Sequence, residues 1–177
     1  MFPNPQQDLP QEVLTWHEID KLIDHLMPQF NYEYDGLVMI TRGGLIPGGI
    51  LCEAMAIKSV HTAAVHFEPS SYENMVWPTF MQFPNDSLIA GKRLLVVDDI
   101  WAKGRNMTVV KSRLEAAGAK VETSVLHFRP SSNQYPNTGP NYYGAITSNY
   151  IIYPWETPYK LPPGYLSPTR LRPPSLD

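Results

Sequence analysis

The chain has 177 residues, a formal net charge of −3, 43% hydrophobic and 18% charged residues. That length suits one domain able to bury a core, and the mild acidity leaves no electrostatic footprint for nucleic acid. No apolar run approaches the ~20 residues of a membrane span, and the N-terminus lacks the basic start and apolar core of an export signal. Cys52 is the only cysteine, which excludes an internal disulfide and a cysteine-rich zinc site. The expectation is a cytoplasmic globular domain that binds neither membrane nor nucleic acid.

Met1 to Pro10 is rich in proline and glutamine and reads as an arm. Thr15 to Glu18 has the spacing of a capping box, and Ile19, Leu22, Ile23, Leu26 and Met27 follow at helical period until Pro28 stops it. His17 and His25 fall on the polar side of that helix, as surface residues. Gly36 to Ile40 is a short apolar strand that runs into Thr41, Arg42, Gly43 and Gly44. Ile50, Leu51, Ala54, Met55 and Ile57 then recur at helical spacing. Two glycines after a strand, beside an arginine, let the backbone approach an anion and aim N–H groups at it. A tight strand-to-helix turn uses the same two glycines.

His61 to Phe67 is a second strand candidate. Glu68 to Asp86, broken by Pro69, Pro78 and Pro84, follows no period. Its aromatics Trp77, Phe80 and Phe83 keep neither helix nor strand register. A loop of that length in a compact domain is functional or disordered, and the aromatics equally suit a static subunit contact.

Leu94 to Val97 is an unbroken apolar run of the kind found in a strand buried on both faces. It ends in Asp98 and Asp99, followed by a loop around Gly104 and a helix over Met107 to Ala117 that Gly118 stops. Adjacent strand residues point to opposite sides, so the two carboxylates do not form a simple clamp on one bare metal. They suit a ribose diol and a hydrated Mg²⁺ approached from different angles. Lys103, Arg105 and the helix N-terminus behind them suit a phosphate. A strand that merely ends in Asp-Asp before an ordinary turn is the other reading of this stretch. Val121 to Phe128 is the next strand and leads to Arg129-Pro130. Ser131 to Tyr143 is a loop, Ala145 to Tyr153 a final β-rich run, and Thr157 to Asp177 a proline-rich tail. The alternation of strands and helices predicts an α/β domain with a largely parallel sheet.

Arg93 to Asn106 resembles the 5-phosphoribosyl-1-pyrophosphate motif of type I phosphoribosyltransferases: a hydrophobic strand, two acids and a loop of the form x-x-Asp-Thr-Gly-x-Thr. The strand, both acids and Gly104 match, while Ala102, Lys103 and Asn106 depart from Asp, Thr and Thr. Ile40 to Gly48 is similar to the pyrophosphate loop of the bacterial xanthine-guanine enzymes, Ser-Arg-Gly-Gly-Leu-Val-Pro-Gly. Pro154-Trp155-Glu156 matches their closing Pro-Trp-acid. The resemblance covers roughly Gly36 to Glu156.

It implies an α/β type I phosphoribosyltransferase fold: a largely parallel five-stranded sheet flanked by helices, with a small hood and a flexible flap over Glu68 to Asp86. The expected division is one domain over 1–156, its first 12 residues an arm, then a tail over 157–177. The implied reaction joins a purine base to phosphoribosyl pyrophosphate with Mg²⁺, in a homodimer or homotetramer. Arg42, Asp98 and Asp99 are the catalytic candidates, and Asp98 and Asp99 hold the metal largely through water. Thr41, Gly43 and Gly44 take pyrophosphate, across a cis Thr41–Arg42 peptide. Ala102, Lys103, Gly104, Arg105 and Asn106 take the 5′-phosphate. Arg129 stands where the family has a lysine that donates to the exocyclic oxygen, which favours guanine, xanthine or hypoxanthine over adenine. Tyr150 stands at the base-stacking position, with Ile151 beside it; Tyr150 also suits a packed strand residue. Many 6-oxopurine enzymes have a carboxylate at the Ala102 position, and adenine enzymes have alanine there. His61, His66, His127, Trp155 and Cys52 read as structural. The competing reading is a non-catalytic member of the fold that binds a phosphoribosyl compound or nucleotide and regulates a partner; a receiver-like domain also has an acidic pair and a parallel sheet but leaves Thr41 to Gly44 without a reason.

Overall fold

The computed structural model describes residues 9–69 and 76–156. Most of the expected arm, residues 70–75 of the Glu68 to Asp86 segment and the Thr157 to Asp177 tail lie outside the described residues. The strands are β1 (Gln11–Val13), β2 (Gly36–Ile40), β3 (Val60–Pro69), β4 (Val76–Gln82), β5 (Arg93–Trp101), β6 (Lys120–Phe128), β7 (Tyr142–Ile146) and β8 (Tyr150–Ile152). The helices are α1 (Trp16–Leu26), α2 (Leu45–Ala54), the short α3 (Asp86–Ile89) and α4 (Arg105–Ala116).

α1 begins where its sequence says it should. Thr15 Oγ1 accepts the Glu18 N–H at 3.4 Å, and the Glu18 carboxylate accepts the Thr15 N–H at 2.7 Å, so two orphan donors are satisfied reciprocally. Ile19, Ile23 and Leu26 form its buried stripe, and His17 and His25 are exposed as expected. Among the described residues no helix is long and apolar enough to cross a membrane.

The main sheet has the order β4-β3-β2-β5-β6-β7. Its five strands β3, β2, β5, β6 and β7 are parallel, as predicted, and β4 adds a sixth, antiparallel edge to β3. Val76 to Gln82 is therefore strand where a loop was expected. No alternating hydrophobic pattern marks it because large apolar residues stand on both faces: Phe80 packs toward the core, while Trp77 is 64% and Met81 73% exposed. Pro78 is tolerated because an edge strand needs only one ladder. The expected run Ala145 to Tyr153 is also two elements. β7 closes the sheet, a turn at Thr147–Asn149 comes next, and β8 leaves to pair in parallel with β1. That two-stranded unit is the hood, and it makes residues 11–13 a strand rather than part of an arm.

Two cores sandwich the sheet. Leu37, Met39, Leu95 and Val97 pack with α1 and with Leu51 of α2 on one face. Val38, Ile40, Leu94 and Val96 pack with Val110 and Leu114 of α4 and Ile89 of α3 on the other. Because successive strand residues alternate between the two, β2 and β5 read as unbroken apolar runs. Both central strands are thus held rigidly, and their C-terminal ends form the floor of the site.

Candidate functional site

β2 and β5 are neighbours, parallel, with Met39 opposite Val97. The loops that leave their C-terminal ends therefore meet at one edge of the sheet, the place where open α/β sheets bind ligands. A cavity of about 900 Å³ opens there, lined by Thr41, Arg42 and Gly43 on one side and Asp98, Asp99 and Ala102 to Asn106 on the other. Two stretches far apart in sequence thus form one site.

The Thr41–Arg42 peptide is cis, as the resemblance implies. Gly43 lies flat against Asp99: a Cβ there would collide with the carboxylate. The Gly43 N–H has no acceptor among the described residues. Gly44 differs from expectation. Its N–H donates to the Ile40 carbonyl at 2.8 Å, and a Cβ would collide with the Val97 carbonyl oxygen. Gly44 is therefore required for close packing of α2 on the sheet, and its amide does not face an anion.

Asp98 is 8% exposed, and its Oδ1 accepts the Asp99 N–H at 3.0 Å. Burial, reinforced by the Asp99 charge, holds its pKa well above the usual carboxylate value. Burial chiefly, with repulsion from Glu156, raises Asp99 to about 6. Neither carboxylate has an ion-pair partner among the described residues. Two acids crowded into a low-dielectric site with no ion-pair partner among the described residues fit a divalent cation. The described residues contain no group of three or more His, Cys, Asp or Glu that could cage one, so the donor set suits an ion that keeps most of its water.

Past Asp99 the chain continues as strand to Trp101, then turns through Gly104 at φ +79° into α4. The first N–H groups of α4 have no intrahelical partner, and no side chain caps them. Arg105 is half-buried with its guanidinium 4.3 Å from the Phe67 ring centroid, while Lys103 and Asn106 are exposed. These features make the loop an anion cradle built mainly of backbone.

A smaller cavity of about 180 Å³ adjoins the first and shares Asp99, Ile100, Ala102 and Glu156 with it. Arg129, Tyr150, Ile151 and Tyr153 complete its lining. Arg129 is 2% exposed, its Nη2 donates to the Asn149 carbonyl, and its Nε is buried without a partner. Burial lowers its pKa. Tyr150 is half-buried at the cavity wall rather than packed in the core.

Trp101, Trp155 and Tyr153 are among the site residues that escaped the sequence reading. Trp101 floors the phosphate loop, and Gly104 passes so close that a Cβ would collide with the indole. Trp155, expected to be structural, lines the larger cavity and stacks on Tyr153 at 4.7 Å with ring planes 7° apart. The Tyr153 hydroxyl donates to the Asp99 carbonyl at 2.9 Å and lies 2.9 Å from His127 Nδ1. With the phenolic proton so committed, its oxygen accepts from Nδ1–H, which defines the His127 tautomer. His127 is 4% exposed, and burial lowers its pKa to about 4. Only Trp155 had a signal, the Pro-Trp-acid run.

A model of the phosphoribosyl transferase domain matches residues 11–158. The chain is 25% identical over 155 residues to a xanthine-guanine phosphoribosyltransferase of Gluconobacter oxydans, covering 85% of this chain and 88% of the relative. It is 25% identical over 128 residues to the enzyme of the same name from Cereibacter sphaeroides, covering 71% of each. Its fold superposes on a purine phosphoribosyltransferase from Pyrococcus horikoshii with a TM-score of 0.70 and 27% identity, covering 84% of this chain and 95% of the other. The two loops that meet at the sheet edge thus have their counterpart in a known architecture, and the chain belongs to the phosphoribosyl transferase domain family.

Proposed function

We propose that the protein transfers the phosphoribosyl group of 5-phosphoribosyl-1-pyrophosphate to a 6-oxopurine base. The observation that carries this is the pairing of two cavities across Asp99 and Ala102: a large polar one for the phosphoribosyl donor and a small one walled by Arg129 and Tyr150 for the base. A base nitrogen attacks C1′, the C1′–O bond breaks, and pyrophosphate leaves with the bonding pair. The products are a nucleoside monophosphate and pyrophosphate.

Arg42 and the free Gly43 N–H face the leaving group and offset its growing negative charge. Asp98 and Asp99 hold the ribose hydroxyls and oppose the positive charge that develops on the sugar. Held by these two carboxylates through water, Mg²⁺ would supply charge neutralisation at the pyrophosphate oxygens. The amides at the start of α4 take the 5′-phosphate, with Lys103, Arg105 and Asn106 around it. In the small cavity the guanidinium of Arg129 donates and cannot accept, so it selects an exocyclic oxygen over an amino group. Tyr150 and Ile151 flank the ring. Ala102 offers no proton acceptor, so the base proton leaves without help from that position.

The same reading extends to a cytoplasmic protein and to a homodimer or homotetramer; the apolar side chains Leu45 and Ile46 that α2 exposes beside Arg42 support self-association. The test is a turnover assay with phosphoribosyl pyrophosphate, Mg²⁺ and each of guanine, xanthine, hypoxanthine and adenine. Monophosphate formation from a 6-oxopurine is expected. Turnover confined to adenine, or none with any base, refutes the assignment.

A further inference from the structure

Trp101 ends β5 with its indole under the phosphate loop. The side chain is 2% exposed yet borders the larger cavity. Its indole N–H has one partner, Oδ1 of Asn133, at 3.1 Å. Asn133 lies on the segment that joins β6 to β7 and is itself braced. Its Oδ1 also accepts the Tyr135 N–H at 3.2 Å, and its Nδ2 donates to the carbonyls of Tyr135, at 3.1 Å, and Thr138. The same segment touches the loop twice more. The Gln134 N–H donates to the Lys103 carbonyl at 3.2 Å, and the Arg129 N–H to the Trp101 carbonyl at 2.8 Å.

The loop has little else to hold it. Ala102 has no polar side-chain atom, Lys103 and Asn106 are exposed, and Gly104 brings no cap to α4. Gly104 lies tight against the indole, and Arg105 lies over the Phe67 ring. If the indole turns, the Gly104 peptide, held in the left-handed region, turns with it.

We infer that Asn133 is a positioning residue for the phosphate loop, acting through the Trp101 indole to hold the Lys103 to Asn106 backbone with its amides toward the 5′-phosphate. This rests on the proposed function's placement of that phosphate. Asn133 touches neither substrate. Its side chain satisfies a buried indole N–H that has no other acceptor among the described residues, and so sets one orientation of the ring that Gly104 lies on.

The experiment compares the parent with Asn133→Ala, Trp101→Phe and the double variant, by steady-state kinetics and by binding of ribose 5-phosphate. Each single change removes one end of the same bond. Each is expected to raise KM for phosphoribosyl pyrophosphate and Kd for ribose 5-phosphate about fivefold, the equivalent of one hydrogen bond. KM for the base should stay near the parent's, because Arg129 keeps its tie to Trp101 through the backbone. The double variant should bind no more weakly than the weaker single one, since the bond can be lost only once. Trp101→Phe removes the indole N–H together with the Nε1 edge that Gly104 lies on and leaves Asn133 in place, so it tests the loop's seat even if Asn133→Ala fails to fold. Parent-like ribose 5-phosphate binding in a folded single variant, or additive losses in the double one, overturns the inference. Failure of the parent itself to bind ribose 5-phosphate overturns the phosphate placement and the inference with it.

Discussion

Replacing Asp99 by asparagine should make the metal-free protein more stable while removing its function. Folding lifts the Asp99 pKa from an ordinary 3.8 to about 6, chiefly through burial. A raised carboxylate pKa means that the native state holds its proton more tightly than the unfolded state. Native stability is therefore full below pH 3.8 and falls as pH rises toward 6, because the buried group must then be charged. At 1.36 kcal/mol per unit, the ionised side chain costs the native protein about 3 kcal/mol at neutral pH. Asparagine fills the same space beside Gly43 with no charge, and it relieves Asp98 of its neighbour's repulsion as well. The assay is urea unfolding in a chelator, from about pH 4 to 8, for parent and Asp99→Asn. The variant should be the more stable by up to about 3 kcal/mol above pH 6, with the gap narrowing as pH falls toward 4. The same variant should lose Mg²⁺-dependent binding of phosphoribosyl pyrophosphate. A variant less stable than the parent at pH 8 in chelator would falsify the reasoning, because it would show the carboxylate to be stabilising where it stands.

His127 works in the opposite direction: its pKa is lowered by burial from 6.5 to about 4, so its contribution is full above pH 6.5 and is lost as pH falls toward 4. In an Asp98→Asn, Asp99→Asn background, where neither raised carboxyl offsets it, stability should drop by up to about 3 kcal/mol over that range; a flat profile contradicts the buried neutral imidazole. Gly104→Ala must adopt φ +79° and displace the Trp101 indole, so it should cost about 1–2 kcal/mol or more in stability and weaken ribose 5-phosphate binding; parent-like values for both would mean that the loop is not tightly seated. Ala102→Asp with Lys103→Thr supplies a carboxylate at the boundary of the two cavities. Turnover with 6-oxopurines should rise about a hundredfold, the low end of what a placed proton acceptor contributes, and unchanged turnover would show that no acceptor is needed there.

The chemistry of the site was legible wherever it is carried by contiguous residues. A strand buried on both faces announces itself as an apolar run, and the residues just past its C-terminal end lie, by topology, at the sheet edge. So Leu94 to Val97 led to Asp98 and Asp99, and Gly36 to Ile40 led to Arg42 and Gly43. The capping box of α1 was legible for the same reason, since its two hydrogen bonds close over three residues. β4 was not, because large apolar residues stand on both of its faces, Phe80 toward the core and Trp77 and Met81 outward, and no period shows. Nor was the division of Ala145 to Tyr153: both halves are β-rich, and only pairing partners, β6 for one and β1 for the other, separate them. The Gly44 amide shows a finer limit. Two adjacent glycines look alike in sequence, and the packing of α2 on Val97 decides which of them faces the cavity. The ties that hold the site, Trp101 to Asn133, Tyr153 to Asp99 and His127 to Tyr153, join residues 32, 54 and 26 positions apart. Such partners are chosen by strand order and register. The chain alone determined which loops carry the charge, and the tertiary structure decided what holds them still, because a buried donor takes whichever acceptor the fold brings within reach.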